Sequence, residues 1–229
     1  MRLRSWLAHG RAVLLASAAV VAVVGTGWLM ACGGGGGGKE SSSEKKSEQG
    51  SVSGKSGKFT DTRDGQKYRI VKIGNHVWMA ENLRYKIGDS WCYGNDDSKC
   101  SQYGRLYDWN MAKRACPSGW HLPSKDEWED LVVEVGSTGG KKLKASSGWN
   151  ERWNENGNGT DEYGFSALPG GHRYTDGGFY NAGTYSYWWS ATELAASYAY
   201  GRNMYYDYDN VGEFYNGKEY GFSVRCVGD

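Results

Sequence analysis

Proline is scarce in this 229-residue chain, with 3 residues against 35 glycines and 17 tyrosines. A polyproline recognition segment and a stiff proline spacer are both excluded. Basic charge shows no surplus: Lys and Arg total 27, Asp and Glu 26. Three of the cations (Arg2, Arg4, Arg11) precede a long uncharged run, and without them the balance is 24 − 26 = −2. Such a remainder lacks the cationic face that phosphate backbones require, so nucleic acid is excluded as the natural partner. There is no Gly-x-Ser-x-Gly, no histidine pair at helical spacing and no Cys-x-x-Cys. A nucleophile elbow, a helical zinc-hydrolase site and a four-cysteine zinc site therefore have no positive sign. The absences point away from an enzyme.

What is present begins with an unbalanced N-terminus. Met1–Arg11 holds three arginines and no acid, and Ala12–Leu29 then runs 18 residues without a charge. A positive segment, an apolar segment and a small-residue exit are the layout of a secretory signal. A run of this length could nearly span a bilayer, but a span leaves Cys32 and the six glycines after it without a reason. Leu29-Met30-Ala31-Cys32 resembles the bacterial lipobox. That resemblance implies residues 1–31 as a signal peptide, cleavage before Cys32 and a diacylglycerol on its sulfur. Two or three acyl chains, at about 0.8 kcal/mol per buried methylene, hold a chain to a membrane durably. Gly33 stands where lipoproteins retained in the inner membrane carry Asp, which implies delivery to the outer membrane.

Residues 32–58 follow as a tether. Gly33–Lys58 is built almost wholly from Gly, Ser, Lys and Glu, with Val52 its sole aliphatic side chain. So little apolar surface cannot offset the entropy of ordering, and the stretch is expected to be disordered. As a flexible coil it reaches about 25–30 Å, enough to lift a domain off a membrane surface.

Residues 59–229 are of ordinary single-domain size. Four cysteines fall within them: Cys92, Cys100, Cys116 and Cys226. An even count beyond an export signal implies disulfides, and three pairings are open. Cys92 and Cys100 flank the turn-rich YGNDDSK, which favours a local bridge. Cys116 with Cys226 would then close a long loop and remove much unfolded-state entropy.

Tyr68–Leu83 reads as a hairpin turning at Gly74-Asn75. A helix is expected from about Asp108, stopped by Pro117. A second is marked by Ser124 and Glu127 as a capping box, by Trp128, Leu131, Val132 and Val135 on one face, and by Gly136 as its end. Trp149–Gly164 reads as a long loop, followed by short aromatic segments. In the last of these Phe222, Val224 and Cys226 alternate with Ser223 and Arg225. Early helices and late antiparallel strands predict an α+β fold.

Four groups of residues carry chemistry. Asn156, Asn158 and Asp161, within Glu155–Glu162, offer oxygen ligands of the kind calcium takes, but without the alternation of an EF-hand. Calcium is thus an optional structural ion beside the plainer reading of a turn-forming loop. Tyr185, Tyr187, Trp188, Trp189, Tyr205, Tyr206 and Tyr208 could form a sugar-stacking platform, but alternating aromatics in strands more often make a core face with cross-strand pairs, which is the reading preferred. His121 suits a structural hydrogen-bonding role. Asp126, Glu127, Glu129 and Asp130 suit the first turns of a helix. The ligand-binding set expected from the loop region is Trp149, Trp153, Asn156, Asn158, Asp161, Tyr185 and Tyr187, with no catalytic residue and no cofactor.

Five stretches in order, FTDTRDGQKYRIVKIGNHVWMAENLRY, YGRLYDWNMAKRACPSGWHLPSKDEWEDL, GNGTDEYGFSALPGGHR, YWWSATE and GFSVRCV, closely resemble the Fibrobacter succinogenes major paralogous domain family. The likeness runs from about Phe59 to Asp229. More remotely, HLPSKDEWEDL, YWWSAT and GFSVRCV are similar to the C-type lectin-like superfamily, which includes the formylglycine-generating enzymes. This implies a compact unit of two helices, antiparallel strands and a long irregular loop region, with a bridge from the first helix to the last strand that agrees with Cys116–Cys226. The Glu-Pro-Asn, Gln-Pro-Asp and Trp-Asn-Asp tripeptides of calcium-dependent sugar binders are absent. Neither reactive cysteine of the formylglycine-generating enzymes has a counterpart. The expected function is a lipid-anchored cell-envelope module that binds polysaccharide or protein without catalysis. An enzyme on the formylglycine-generating scaffold and a structural surface protein are the alternatives.

Overall fold

The structure, a computed structural model, describes residues 56–151 and 155–229. The signal peptide, Cys32, most of the tether and Trp153 lie outside the described residues. In chain order the elements are β1 (Ser56–Thr60), β2 (Lys67–Ile73), β3 (His76–Met79), β4 (Ser90–Trp91), α1 (Asp97–Tyr103), β5 (Leu106–Tyr107), α2 (Trp109–Ala115), β6 (Trp120–His121), α3 (Lys125–Val135), α4 (Gly139–Leu143), β7 (Gly170–Arg173), β8 (Phe179–Ala182), β9 (Tyr185–Ala195), β10 (Tyr198–Tyr205), β11 (Gly212–Gly217), β12 (Phe222–Ser223) and β13 (Val227–Gly228). Helices and strands are mixed in an α+β arrangement. One sheet has the order β1-β2-β3-β13-β6. A second runs β11-β10-β9-β12-β5-β4, with β7 joined to β9 and β8 to β7.

Local signals set the early elements. β2 and β3 form the hairpin, with Ile73 opposite His76 and Gly74 at φ 58° in the turn. The Asp108 carboxylate accepts from Met111 N and starts α2. Ser124 and Glu127 close a reciprocal capping box on α3, and Gly136 ends it at φ 76°. Two further helices depart from the expected pair. α1 is polar throughout and has no apolar stripe to announce it; the Asp96 carboxylate caps it at Ser98 N. α4 reads GGKKL, poor helix-forming sequence. Gly140 is required there because a Cβ would lie 2.3 Å from the Asn210 carbonyl oxygen. Residues 56–58, read from the sequence as the end of the tether, belong to β1, which pairs its backbone with β2 from Ser56 to Thr60. Backbone pairing needs no apolar side chains, so composition alone does not reveal it.

Successive strand residues feed two cores. Val71, Ile73 and Trp78 join Trp128, Leu131 and Val135 of α3, with Phe165 and Trp188. Tyr68 and Met79 join Trp109, Ala112 and Ala115 of α2, with Trp189 and Phe222. The alternation of Cβ directions along a strand separates Trp78 from Met79 and Trp188 from Trp189 in this way. The buried indoles mostly find acceptors: Trp109 Nε1 donates to Ser190 O at 2.8 Å and Trp189 Nε1 to Tyr107 O at 2.8 Å. Disulfides join Cys92 to Cys100 and Cys116 to Cys226. The final segment is buried on both sides: Phe222, Val224 and Cys226 enter the second core, while Ser223 and Arg225 on the other face are equally enclosed.

Candidate functional site

The open end of the β9–β10 ladder carries a tyrosine cluster. Tyr185 and Tyr205 are cross-strand partners with ring centroids 4.4 Å apart. Tyr206 lies 6.3 Å from Tyr185, and Tyr208 5.9 Å from Tyr205. Aromatic pairs at these separations are mutually attractive and hold one another's rotamers. Tyr208 keeps 55% of its surface exposed.

Beyond β10 the 206–210 segment is held by a buried lysine. Lys144 is 2% exposed, and its Nζ donates to the carbonyl oxygens of Tyr205 (3.1 Å), Tyr206 (3.3 Å) and Tyr208 (3.2 Å). Burial lowers its pKa from the ordinary lysine value, an effect opposed by the charges of Asp209 and Asp207. Three carbonyls thus replace the water that the ammonium loses on burial. The 155–164 loop packs against the same support. Gly159 lets it approach, since a Cβ would lie 2.2 Å from Lys144 O, and Gly159 N donates to Ala145 O at 2.9 Å.

Between loop and strand end lies a cleft of about 430 Å³. Its walls include Asn156, Asn158, Tyr206, Tyr208, Asp207 and Asp209. The loop amides are ordered by their neighbours: Asn156 Oδ1 accepts from Asn158 N (3.0 Å) and Nδ2 (2.6 Å), and Asn158 Oδ1 accepts from Trp149 N (2.8 Å). Amides, carboxylates and phenol rings at one opening are the groups that meet hydroxyls at the edge and ring faces in the plane.

The structure gathers part of the expected set. Asn156 and Asn158 line the cleft, and Tyr185 backs it through Tyr206. Tyr187 lies further in, stacked 5.3 Å from Phe222 and edge-on to Phe214. Trp149 is 4% exposed and belongs to the first core, with its Nε1 donating to Ala167 O at 2.9 Å. It has no free ring face for a ligand. Asp161 turns its carboxylate onto Ser166 N (2.7 Å) and Oγ (2.6 Å), away from the amide pair. The oxygens proposed for calcium at Asn156, Asn158 and Asp161 are therefore already engaged by N–H and O–H donors. Among the described residues, no group of three His, Cys, Asp or Glu side chains is placed to hold a metal ion.

The remaining sequence candidates are occupied structurally. Glu127 serves the capping box, Glu129 pairs with Arg202 at 2.6 Å, and Asp130 pairs with His76 at 3.0 Å. His121 bridges Asp229 Oδ1 at 2.6 Å and Glu127 Oε1 at 2.7 Å. Sequence reasoning passed over Lys144 and Asp209, whose role depends on long-range packing; the short Lys141–Lys144 run carried no signal beyond charge.

Residues 71–228 match the family model of the Fibrobacter succinogenes major domain, starting slightly later than the Phe59 boundary expected from the sequence. No curated protein and no solved structure matches the chain. The match spans well over half of the sequence, and the chain belongs to the Fibrobacter succinogenes major domain family.

Proposed function

We propose that this protein is a lipid-anchored module of the cell envelope that binds polysaccharide, without catalysis, in the cleft between the 155–158 loop and the 206–209 segment. The observation that carries the reading is the convergence of Asn156 and Asn158 with Tyr206 and Tyr208 on one opening of sugar-compatible chemistry. The lipobox ending at Cys32 supports the anchor, and Gly33 supports an outer-membrane destination. The tether supports a domain that reorients above the surface. The fold is read as C-type lectin-like, supported by the helix-to-C-terminus bridge Cys116–Cys226.

Against the enzyme alternative stands the state of the thiols. Every cysteine among the described residues is in a disulfide, so the thiol pair used by formylglycine-generating enzymes has no equivalent in that region. The test is retention of the full chain, in detergent, on immobilised polysaccharides of bacterial-envelope and plant-wall origin. Retention by at least one class supports the reading. Uniform flow-through, with turnover of a peptide thiol, replaces it with the enzyme.

A further inference from the structure

A second polar cavity, of about 280 Å³, lies over Arg225 at the other side of the Lys144–Ala167 bridge and shares no wall residue with the tyrosine cleft. Arg225 is 1% exposed. Its Nε and Nη2 donate to Asn82 Oδ1 at 3.1 and 2.8 Å, Nη1 donates to Phe165 O, and Nη2 reaches Ser166 O at 3.5 Å. All of these acceptors are neutral. Among the described residues, no carboxylate stands within ion-pair distance of it, whereas Arg63, Arg69, Arg84 and Arg202 each pair with one. Nη1 carries two hydrogens and has one acceptor among the described residues, Phe165 O.

A buried guanidinium with no carboxylate in direct contact is costly, and the charge of Asp161 on the same cavity wall offsets this only in part. Its planar faces are partly compensated by Phe165, 4.1 Å away, and Trp188, 5.9 Å away. Burial pulls its pKa down to about 9, which still leaves it charged at neutral pH. The carboxylates on the cavity wall are spoken for. Asp161 accepts from Ser166, and Glu81 faces Arg69 at 3.5 Å and Arg84 at 3.8 Å. Arg69, Arg84 and Arg225 against Glu81 and Asp161 leave one positive charge unbalanced (3 − 2 = 1) at the cavity. At the rim stand the exposed Ser146 and Ser147 hydroxyls. The volume is at the lower end of small-molecule sites, which run from about 300 to 1,000 Å³. One ring fits that size.

We propose that this cavity is a binding site for a uronic acid, its carboxylate taken by Arg225 and its hydroxyls by the rim serines. Arginine suits the planar carboxylate, and serine hydroxyls can donate to or accept from the sugar hydroxyls. The site stands apart from the tyrosine cleft and does not depend on it.

Calorimetric titration of the full chain in detergent tests it, with glucuronate and galacturonate as probes and glucose and acetate as controls. At least one uronate is expected to bind ten-fold or more tighter than glucose and than acetate. Ser147→Trp narrows the rim without touching the core and should weaken the uronate at least ten-fold, whereas Tyr208→Ala should leave it unchanged. Absence of uronate binding, equal affinity for glucose, or an unaffected Ser147→Trp variant overturns the proposal. Acetate binding as tight as the uronate removes the sugar and overturns it as well. Arg225→Lys, checked for native near-ultraviolet circular dichroism, should lose the preference for uronate over glucose; a folded variant that keeps it contradicts the role of Arg225.

Discussion

The Asn82 amide oxygen accepts both Arg225 Nη2, at 2.8 Å, and Arg225 Nε, at 3.1 Å, across 143 residues of sequence. The same oxygen accepts Trp188 Nε1 at 2.9 Å, and the Asn82 amide nitrogen donates to Tyr103 O at 2.8 Å and Ser223 Oγ at 3.3 Å. One asparagine therefore joins the hairpin, the α1 exit, β9, β12 and the C-terminal segment. Gly104 keeps the approach open, since a Cβ there would sit 2.5 Å from Asn82 Cβ.

Asn82→Ala removes the acceptor of Arg225 Nε and of the Trp188 indole N–H and the amide donor to Tyr103 O, and leaves the Arg225 guanidinium with only Phe165 O and Ser166 O. A buried donor or acceptor left unsatisfied costs about 1–3 kcal/mol, more on a charged group. Urea unfolding of the variant should show a midpoint lowered to match, with an unchanged slope. A loss below about 1 kcal/mol contradicts the hub role.

The two disulfides should differ in weight. Chain-entropy reasoning assigns about 5 kcal/mol to Cys116–Cys226, with a sequence separation of 110, and about 2.5 kcal/mol to Cys92–Cys100, with a separation of 8. Paired Cys→Ala variants, compared by chemical unfolding, should rank in that order. The reverse ranking contradicts the assignment.

His121 gives the domain a pH-dependent tie at its C-terminus. Burial pulls its pKa down, but the hydrogen bonds to Asp229 and Glu127 outweigh this and raise it above the ordinary 6.5. The folded state then binds the proton more tightly than the unfolded state. The stabilisation is complete below pH 6.5 and fades as pH rises through the folded value. Glu127 sets the acid side: burial raises its pKa, while the bonds from Ser124 and His121 bring it below 4.5, so its contribution is lost as pH falls through the folded value. In His121→Gln the decline in melting temperature as pH rises above 6.5 should flatten. An unchanged pH profile contradicts the bridge.

Cys32→Ser removes the sulfur that the lipobox offers for acylation. The variant should move from the membrane fraction to the soluble fraction or stay uncleaved, and it should lose radiolabelled palmitate. Retained label contradicts lipidation at Cys32.

Much of the frame is legible in the sequence because its signals are local. Asp108, Ser124 and Glu127 announce two helix starts within three residues, and Gly74 announces a turn. Of the three pairings open in the sequence, the structure forms the one that the turn-rich segment between Cys92 and Cys100 favours. The site is less legible, because it depends on which polar residues become buried. Arg225 alternates with apolar neighbours and so reads as solvent-facing, yet a second layer covers it. Lys144 reads as surface charge, yet it holds a loop some 60 residues later in the chain. Trp149 reads as a ligand-binding residue of the loop region, and the fold uses it as core instead. Burial on the second face of a strand leaves no mark at the residue itself.

The most direct test of the polysaccharide-binding account is the affinity of the full chain for whichever polysaccharide class it retains, measured for the wild type and for Tyr206→Ala/Tyr208→Ala. Loss of ring stacking at the cleft should weaken binding at least ten-fold; Tyr208→Ala alone should weaken it with little shift of the unfolding midpoint, Tyr208 being largely exposed, whereas Tyr206 also packs against the first core. Binding of equal strength in the double variant, or no polysaccharide binding in the wild type, contradicts it.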